Sequence, residues 1–555
     1  MFKHTSWVLC LLHLALAVPF NLNPTVDIPS GAHVVGASVD GVDSFKGIPF
    51  AQPPVGQLRL RPPQAIANQS GDILASGVPR ACPQLQIPID YSNLPEAALG
   101  LLLDSPLAQA ISNFGEDCLT VNIQRPASAT SSSKLPVLFY IYGGSFESGS
   151  TQIYDGSNLV QSSIENGKDV IFVATNYRLG GFGFLPGEEV LQDGSANLGL
   201  LDQRLALQWV ADNIASFGGD PEKVTIWGES AGSFSVFHQM LLYGGDHTYK
   251  GKPLFRAAIM DSGSIIPTKP VDSPRAQAVY DSVVKNAGCS LATDTLSCLR
   301  GTDYTTFLNA ANSVPNNGFP GPYLPRPDGN VILKSPELMA QEGSYAAVPF
   351  IIGDQEDEGT LFSLSQLNLT NEQQLVDYLS TDFLPNAPRS VVQALVDTYS
   401  ADPSAGSPFN TGPFNSLYPE FKRLAAIQGD MVFTLQRRLL LAFASVAKPT
   451  VPSYSYLSSS FYGTPIMGTF HGTDVLEAYG YIPGIPTDSI QAYYISFVNT
   501  MNPNGNTSLL LPPWPQWSTG KELVNFRALS NTIISDDFRE DNYNFLAANI
   551  SLLQF

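Results

Sequence analysis

The sequence predicts one large α/β domain, a mixed but mostly parallel central sheet flanked by helices, and three strand-to-turn junctions carry that expectation. Val224-Thr225-Ile226-Trp227 reads as a strand and feeds Gly228-Glu229-Ser230-Ala231-Gly232, with a helix-forming stretch behind it. Leu135-Pro136-Val137-Leu138-Phe139-Tyr140-Ile141-Tyr142 is a second strand, and Gly143-Gly144-Ser145-Phe146 follows it. Phe350-Ile351-Ile352-Gly353 reads as a buried third, ending in Asp354, Glu356, Asp357 and Glu358.

Composition bounds the rest. Of 555 residues 44% are hydrophobic and 14% charged, which suits a substantial core, and no repeat, charge block or low-complexity linker divides the chain. Proline and glycine are numerous but dispersed, as loop punctuation is. At the N-terminus Lys3 and His4 precede an apolar run from Trp7 to Leu16, then Ala15-Leu16-Ala17 ahead of Val18-Pro19. This pattern predicts a secretory leader over residues 1–17 and a single domain over 18–555. The run is shorter than the ~20 residues that span a bilayer, and no later segment reads as an integral membrane span.

Cys10 leaves with the leader, and Cys82, Cys118, Cys289 and Cys298 remain, an even number that predicts two disulfides outside the cell. Of three possible pairings, Cys82 with Cys118 and Cys289 with Cys298 closes the shortest loops. Asn68, Asn368, Asn506 and Asn549 each open an Asn-x-Ser/Thr sequon, so glycosylation is expected there. A net charge of −20 repels nucleic acid and anionic membranes.

In the Gly-x-Ser-x-Gly turn the glycines permit a sharp bend, the Ser230 hydroxyl stands clear, and the following helix offers backbone amides. A serine nucleophile needs a base, and histidine is the usual one near neutral pH. His4 and His13 leave with the leader, while His33 lies in the first strands. His238 follows Ser230 by eight residues on one helix, about 12 Å along it. His247 reads as part of an exposed turn. His471, in the glycine-bounded loop Gly468-Thr469-Phe470-His471-Gly472, is the base that elimination selects. The carboxylate that orients it is expected among the acids after Gly353. A calcium loop there fails, because its twelfth position is Ser365 where glutamate is required. The chain order serine, acid, histidine is that of an α/β-hydrolase. The amides of Gly144, Ser145 and Ala231 are the candidates for an oxyanion hole.

Several separate segments resemble the type-B carboxylesterases and lipases of the α/β-hydrolase superfamily, which includes the cholinesterases. They are Phe45-Lys46-Gly47-Ile48-Pro49-Phe50-Ala51-Gln52-Pro53-Pro54, Glu116-Asp117-Cys118-Leu119, Asn176-Tyr177-Arg178, Asn197-Leu198-Gly199-Leu200-Leu201-Asp202-Gln203, and Phe217 onward to Ser233. The resemblance implies that the acid is Glu358, from Asp357-Glu358-Gly359, and again that the base is His471. It also implies an acyl pocket lined by Phe234 and Phe362.

Within that family the chain is most similar to secreted fungal lipases and sterol esterases. Asn93 to Leu107, inside the loop between Cys82 and Cys118, resembles their mobile lid. Asn93 is suited to cap its helix and Pro95 to its first turn, while Gly100 and Pro106 keep it weak. Such a lid would open at a lipid–water interface and could serve a homodimer. Ser145 stands where these lipases usually carry a third glycine; its amide remains available, and its side chain either crowds the acyl entrance or offers a hydroxyl. The expected activity is hydrolysis of long-chain esters through an acyl-enzyme, with no cofactor or metal. The rival enzyme is an esterase for short-chain or aromatic (feruloyl-type) acyl groups. A non-catalytic adhesion protein of the same fold is the rival of another class, and the intact triad argues against it.

Overall fold

The structure is a computed structural model that describes residues 23–85, 91–315, 320–505 and 510–555. The expected leader and the Asn506 sequon lie outside the described residues.

Eleven strands form the central sheet: β1 (Ala37–Val39), β2 (Val42–Pro49), β3 (Thr120–Pro126), β4 (Leu135–Ile141), β5 (Ile171–Thr175), β6 (Gly219–Glu229), β7 (Ala257–Asp261), β8 (Phe350–Gln355), β9 (Ser453–Ser458), β10 (Glu522–Arg527) and β11 (Ser530–Ser535). Their order across the sheet is β11-β10-β9-β8-β7-β6-β4-β5-β3-β2-β1. From β10 to β5 every neighbouring pair is parallel, and the pairs beyond are antiparallel. Parallel strands need helical crossovers that cover both faces, which is why β4, β5 and β8 are nearly continuous apolar runs. Val137 to Ile141 are all buried, as are Ile351 and Ile352.

The helices used below are α1 (Glu96–Asp104), α2 (Leu198–Asn213), α3 (Ala231–Gly245), α4 (Pro274–Asn286), α5 (Phe421–Gly429), α6 (Leu435–Ala447), α7 (Thr473–Ala478) and α8 (Ile485–Thr500). α3 packs on β6 and β7, α2 on β6 and α3, and α8 on β4 and β6. Among the described residues no helix is long and apolar enough to cross a membrane.

Register positions the site. Ile141 lies opposite Gly228, Glu229 opposite Asp261, and Asp261 opposite Gly353. The turns that follow these residues therefore leave the sheet side by side at its carboxyl edge.

Cys82 is bridged to Cys118 and Cys289 to Cys298. The first bridge closes the loop that carries α1. Asn93 does not cap this helix; Pro95 holds the N-cap position in extended backbone, without a side-chain cap. The proline ring fixes its own φ at −59° with ψ at 148°, so helical geometry starts only at Glu96.

Candidate active site

Ser230 occupies the bend between β6 and α3 with φ 55° and ψ −125°, a conformation that costs a non-glycine residue about 1–3 kcal/mol. Tight packing holds it there. The Ser230 amide donates to the Asp261 carbonyl at 2.9 Å, anchoring the turn to the end of β7. A Cβ on Gly232 would stand 1.9 Å from the Ile141 carbonyl oxygen, and one on Gly228 would stand 2.3 Å from that of Gly232. The turn thus presses against β4, and glycine at both positions is a steric requirement.

Ser230, Glu358 and His471 are 3%, 1% and 2% exposed and meet in one line. His471 Nε2 lies 2.8 Å from Ser230 Oγ, and His471 Nδ1 lies 2.5 Å from Glu358 Oε2. Facing a carboxylate, Nδ1 is the nitrogen that carries the proton, which leaves Nε2 free to accept from the serine hydroxyl. The other Glu358 oxygen accepts from Ser262 Oγ at 2.6 Å and from the Gln355 amide at 2.7 Å.

The four acids after Gly353 separate by environment. Asp354 is buried against Arg437, whose Nε donates to it at 2.7 Å, whereas Glu356 is half-buried and accepts from Asn410. Asp357 fastens the two catalytic loops together. Its carboxylate accepts from Ser407 Oγ, the Phe409 amide and the Thr469 amide, and its own amide donates to the Thr469 carbonyl. Only Glu358 reaches the imidazole.

A second carboxylate lies beside that imidazole: Glu229 Oε1 is 3.3 Å from His471 Nε2. Neither Glu229 oxygen has a hydrogen-bond partner among the described residues. Burial pushes the Glu229 carboxyl up to about 8, against the pull of His471. Burial would lower the His471 pKa, but Glu358 and Glu229 outweigh it and hold the ring at about 9. The ring also packs against Phe362 and Phe433, with centroids 5.0 and 4.7 Å away.

A cavity of about 680 Å3 opens onto Ser230 and His471. Gly144 and Ser145 border it, and Ser145 adopts φ 56°, the left-handed region that glycine occupies more easily. The Cys82–Cys118 loop supplies Leu102, Pro106 and Phe114 to its wall, and Phe362 lines it from the opposite segment. Phe234 does not line it. Buried on α3 with its ring 6.1 Å from Phe433, Phe234 instead bounds a small void together with Ser145 and Ala231.

Among the described residues the other three histidines have other partners. His33 contacts Asp27 and His238 contacts the Phe234 carbonyl. His247, expected in an exposed turn, is half-buried, because its ring packs on Phe255 at 4.8 Å. Asn68 and Asn368 are exposed, while Asn549 is half-buried with its amide nitrogen donating to the Phe545 carbonyl.

The model of the carboxylesterase family matches residues 23–546. "Secreted lipase 1" of Botryotinia fuckeliana is 56% identical over 95% of this chain and 93% of its own. "Secreted triacylglycerol lipase LIP1" of Gibberella zeae is 54% identical over 95% and 91%, and "Lipase 2" of Diutina rugosa 42% over 98% of each. Among solved structures, EstA of Aspergillus niger superimposes with a TM-score of 0.80 at 26% identity, covering 96% of this chain and all of the other. The fold is thus that of the α/β-hydrolase esterases. This chain is a carboxylic ester hydrolase and belongs to the carboxylesterase family.

Proposed function

We propose that this chain is a secreted lipase that hydrolyses long-chain acyl esters at a lipid–water interface. The observation that carries the reading is the Ser230, His471, Glu358 line at the floor of a cavity walled by the disulfide-closed loop. The names of the fungal relatives support it, and so does the largely apolar wall that Leu102, Pro106, Phe114 and Phe362 give the cavity.

In this reading Ser230 Oγ attacks the ester carbonyl while His471 Nε2 takes its proton. Amides of Gly144, Ser145 and Ala231 receive the developing oxyanion. Collapse of the tetrahedral intermediate expels the alcohol, which takes the proton back from His471 and leaves an acyl-serine. Water, deprotonated by His471, attacks that ester, and the second collapse frees the carboxylic acid and Ser230. Glu358 holds the imidazole in its tautomer and stabilises the imidazolium. Phe362 lines the cavity and packs on the His471 ring, which suits it to the acyl pocket. Phe234 stands behind the elbow, against the small void beside Ser145 and Ala231.

Residues 1–17 are read as the leader and 18–555 as one domain. Asn68 and Asn368, both exposed, are the preferred glycosylation positions. The segment within 82–118 is read as the lid, with α1 its mobile part. Leu103 and Phe114 are exposed large apolar residues of that loop, and a dimer through the lid would use them; sedimentation of a Leu103→Ser variant checks it.

Ser230→Ala should lower ester turnover by about four to six orders of magnitude with the thermal melt unchanged. Hydrolysis rates across acyl lengths, below and above each ester's solubility limit, test the substrate class. A jump in rate above the limit with long chains is expected. A monotonic preference for short or aromatic acyl groups, with no jump, would favour the rival esterase.

A further inference from the structure

The turn after β4 brings two hydrogen-bond donors of one residue to the catalytic cavity. Ser145 lines that cavity together with Gly143, Gly144, Ser230 and His471, and it also borders the small void against Ala231. Gly143 presses the turn onto the nucleophile: a Cβ on it would lie 2.8 Å from Ser230 Cβ and 2.7 Å from the Glu229 carbonyl oxygen. Ser145 thus stands on the side of the cavity where Ser230 and the residue after it meet the end of β4.

Hydrogen bonds fix which way the Gly144–Ser145 peptide faces. The Gly144 carbonyl accepts from the Glu147 and Ser148 amides, both at 2.9 Å. In a trans peptide the N–H points opposite to the C=O, so the Ser145 amide is directed away from those two residues. Phe146 pins the turn from the other end: it is buried, its ring packs on Phe184 at 5.0 Å, and its carbonyl accepts from the Gly180 amide at 2.7 Å. Among the described residues neither the amide nor the hydroxyl of Ser145 has a hydrogen-bond partner. Ser145 and Phe146 both lie in the left-handed region, at φ 56° and 61°. Glycine would hold the first of these without steric cost, yet the chain carries a hydroxyl there, beside the reacting serine.

We propose that the Ser145 hydroxyl is a side-chain donor to the oxyanion, acting beside the amides of Gly144, Ser145 and Ala231. The proposal rests on the Ser230 mechanism described above. As Ser230 Oγ adds to the ester carbonyl, negative charge gathers on the carbonyl oxygen, and the Ser145 hydroxyl turns its hydrogen toward that charge without losing the proton. Having no partner in the protein, it gives up no hydrogen bond to do so. A donor that meets its full charge only in the transition state lowers the barrier more than it tightens substrate binding. A side chain that only crowded the acyl entrance would act in the opposite sense, since removing it would admit substrate more freely.

Ser145→Gly and Ser145→Ala in the full chain keep every backbone amide and remove the hydroxyl. On dissolved p-nitrophenyl butyrate both should lower kcat about ten- to a hundredfold with little change in KM, less than a fixed amide donor commands because a hydroxyl rotates. Ser145→Gly should melt no lower than the parent, because it relieves the left-handed φ while turnover falls. The inhibition constant of an alkyl trifluoromethyl ketone, which adds to Ser230 and places an oxyanion in the hole, should rise by the factor by which kcat/KM falls. Unchanged or faster turnover in either variant, or a ketone affinity that does not follow kcat/KM, would overturn the proposal. Ser145→Ala keeps the Cβ, so it reports even if glycine loosens the turn. Ester turnover surviving in Ser230→Ala would instead sink the Ser230 mechanism itself, on which the hydroxyl's role rests.

Discussion

At the imidazole of His471 two carboxylates act on one ring, and both raise its pKa. Glu358 faces Nδ1 through a hydrogen bond, whereas Glu229 lies 3.3 Å from Nε2 and contributes field alone. Both favour the imidazolium, so His471 must lose its proton above the usual imidazole range before it can act as a base. Glu229→Gln removes one of these influences, and the His471 pKa should fall. The acid limb of kcat/KM should then move to lower pH by about one unit or more. A limb that stays fixed or moves upward would show that Glu229 does not act on the ring. Ser230 and His471 were legible in the sequence because a Gly-x-Ser-x-Gly turn is local and only six histidines had to be sorted. Glu229 sits inside that same turn, yet its part depends on how far the elbow swings toward the histidine loop. Ser262 and Phe433 left no sequence signal. One reaches Glu358 through the pairing of β7 with β8, and the other reaches the ring from the π-helical stretch Asp430–Thr434 between α5 and α6.

Among the elements, α1 is the one whose two sides face different media. Leu102 is buried and lines the catalytic cavity, while the adjacent Leu103 is 54% exposed, as a turn of about 100° per residue requires. Taking the loop as a lid, Leu103 meets the lipid and Leu102 shields Ser230. Leu103→Ser should therefore lower the rate on emulsified long-chain ester about tenfold, the value of one apolar side chain at an interface, and leave a dissolved short-chain ester unaffected. Equal losses on both substrates would mean that the helix only supports the fold. The ends of β4, β6 and β8 could be read from the sequence, since each closes an apolar run punctuated by glycine or acid, whereas β9 alternates serine and tyrosine and gives no such run. The helix start could not. Asn93 has the right chemistry for a cap, but the proline two residues later dictates where helical geometry begins. Which of four acids meets the histidine was likewise set by the path of the loop after β8, where Asp357 is consumed in fastening Thr469.

For the molecule as a whole, buried acids set how stability varies with pH. Burial raises Glu229 and Glu477 to about 8 and Asp357 to about 7, and His471 is raised to about 9. Between the unfolded values and these, the native state binds more protons than the unfolded one, so stability falls as pH rises. Asp536 has the opposite sign. Despite burial, Arg437 and Arg438 hold it down at about 2, so its contribution is present above about pH 4 and disappears as pH falls through 2. Thermal melts should thus give a higher Tm near about pH 5 than near about pH 8; a reversed order would contradict these assignments. A net charge of −20 adds self-repulsion in the same direction. The central claim, that one covered serine carries the chemistry, is tested most directly by treating the intact chain with an alkyl p-nitrophenyl phosphonate and mapping the adduct by mass spectrometry. We predict a single adduct on Ser230 whose formation parallels the loss of ester turnover. Full labelling of Ser230 with turnover retained, or inactivation through an adduct elsewhere, would contradict the account.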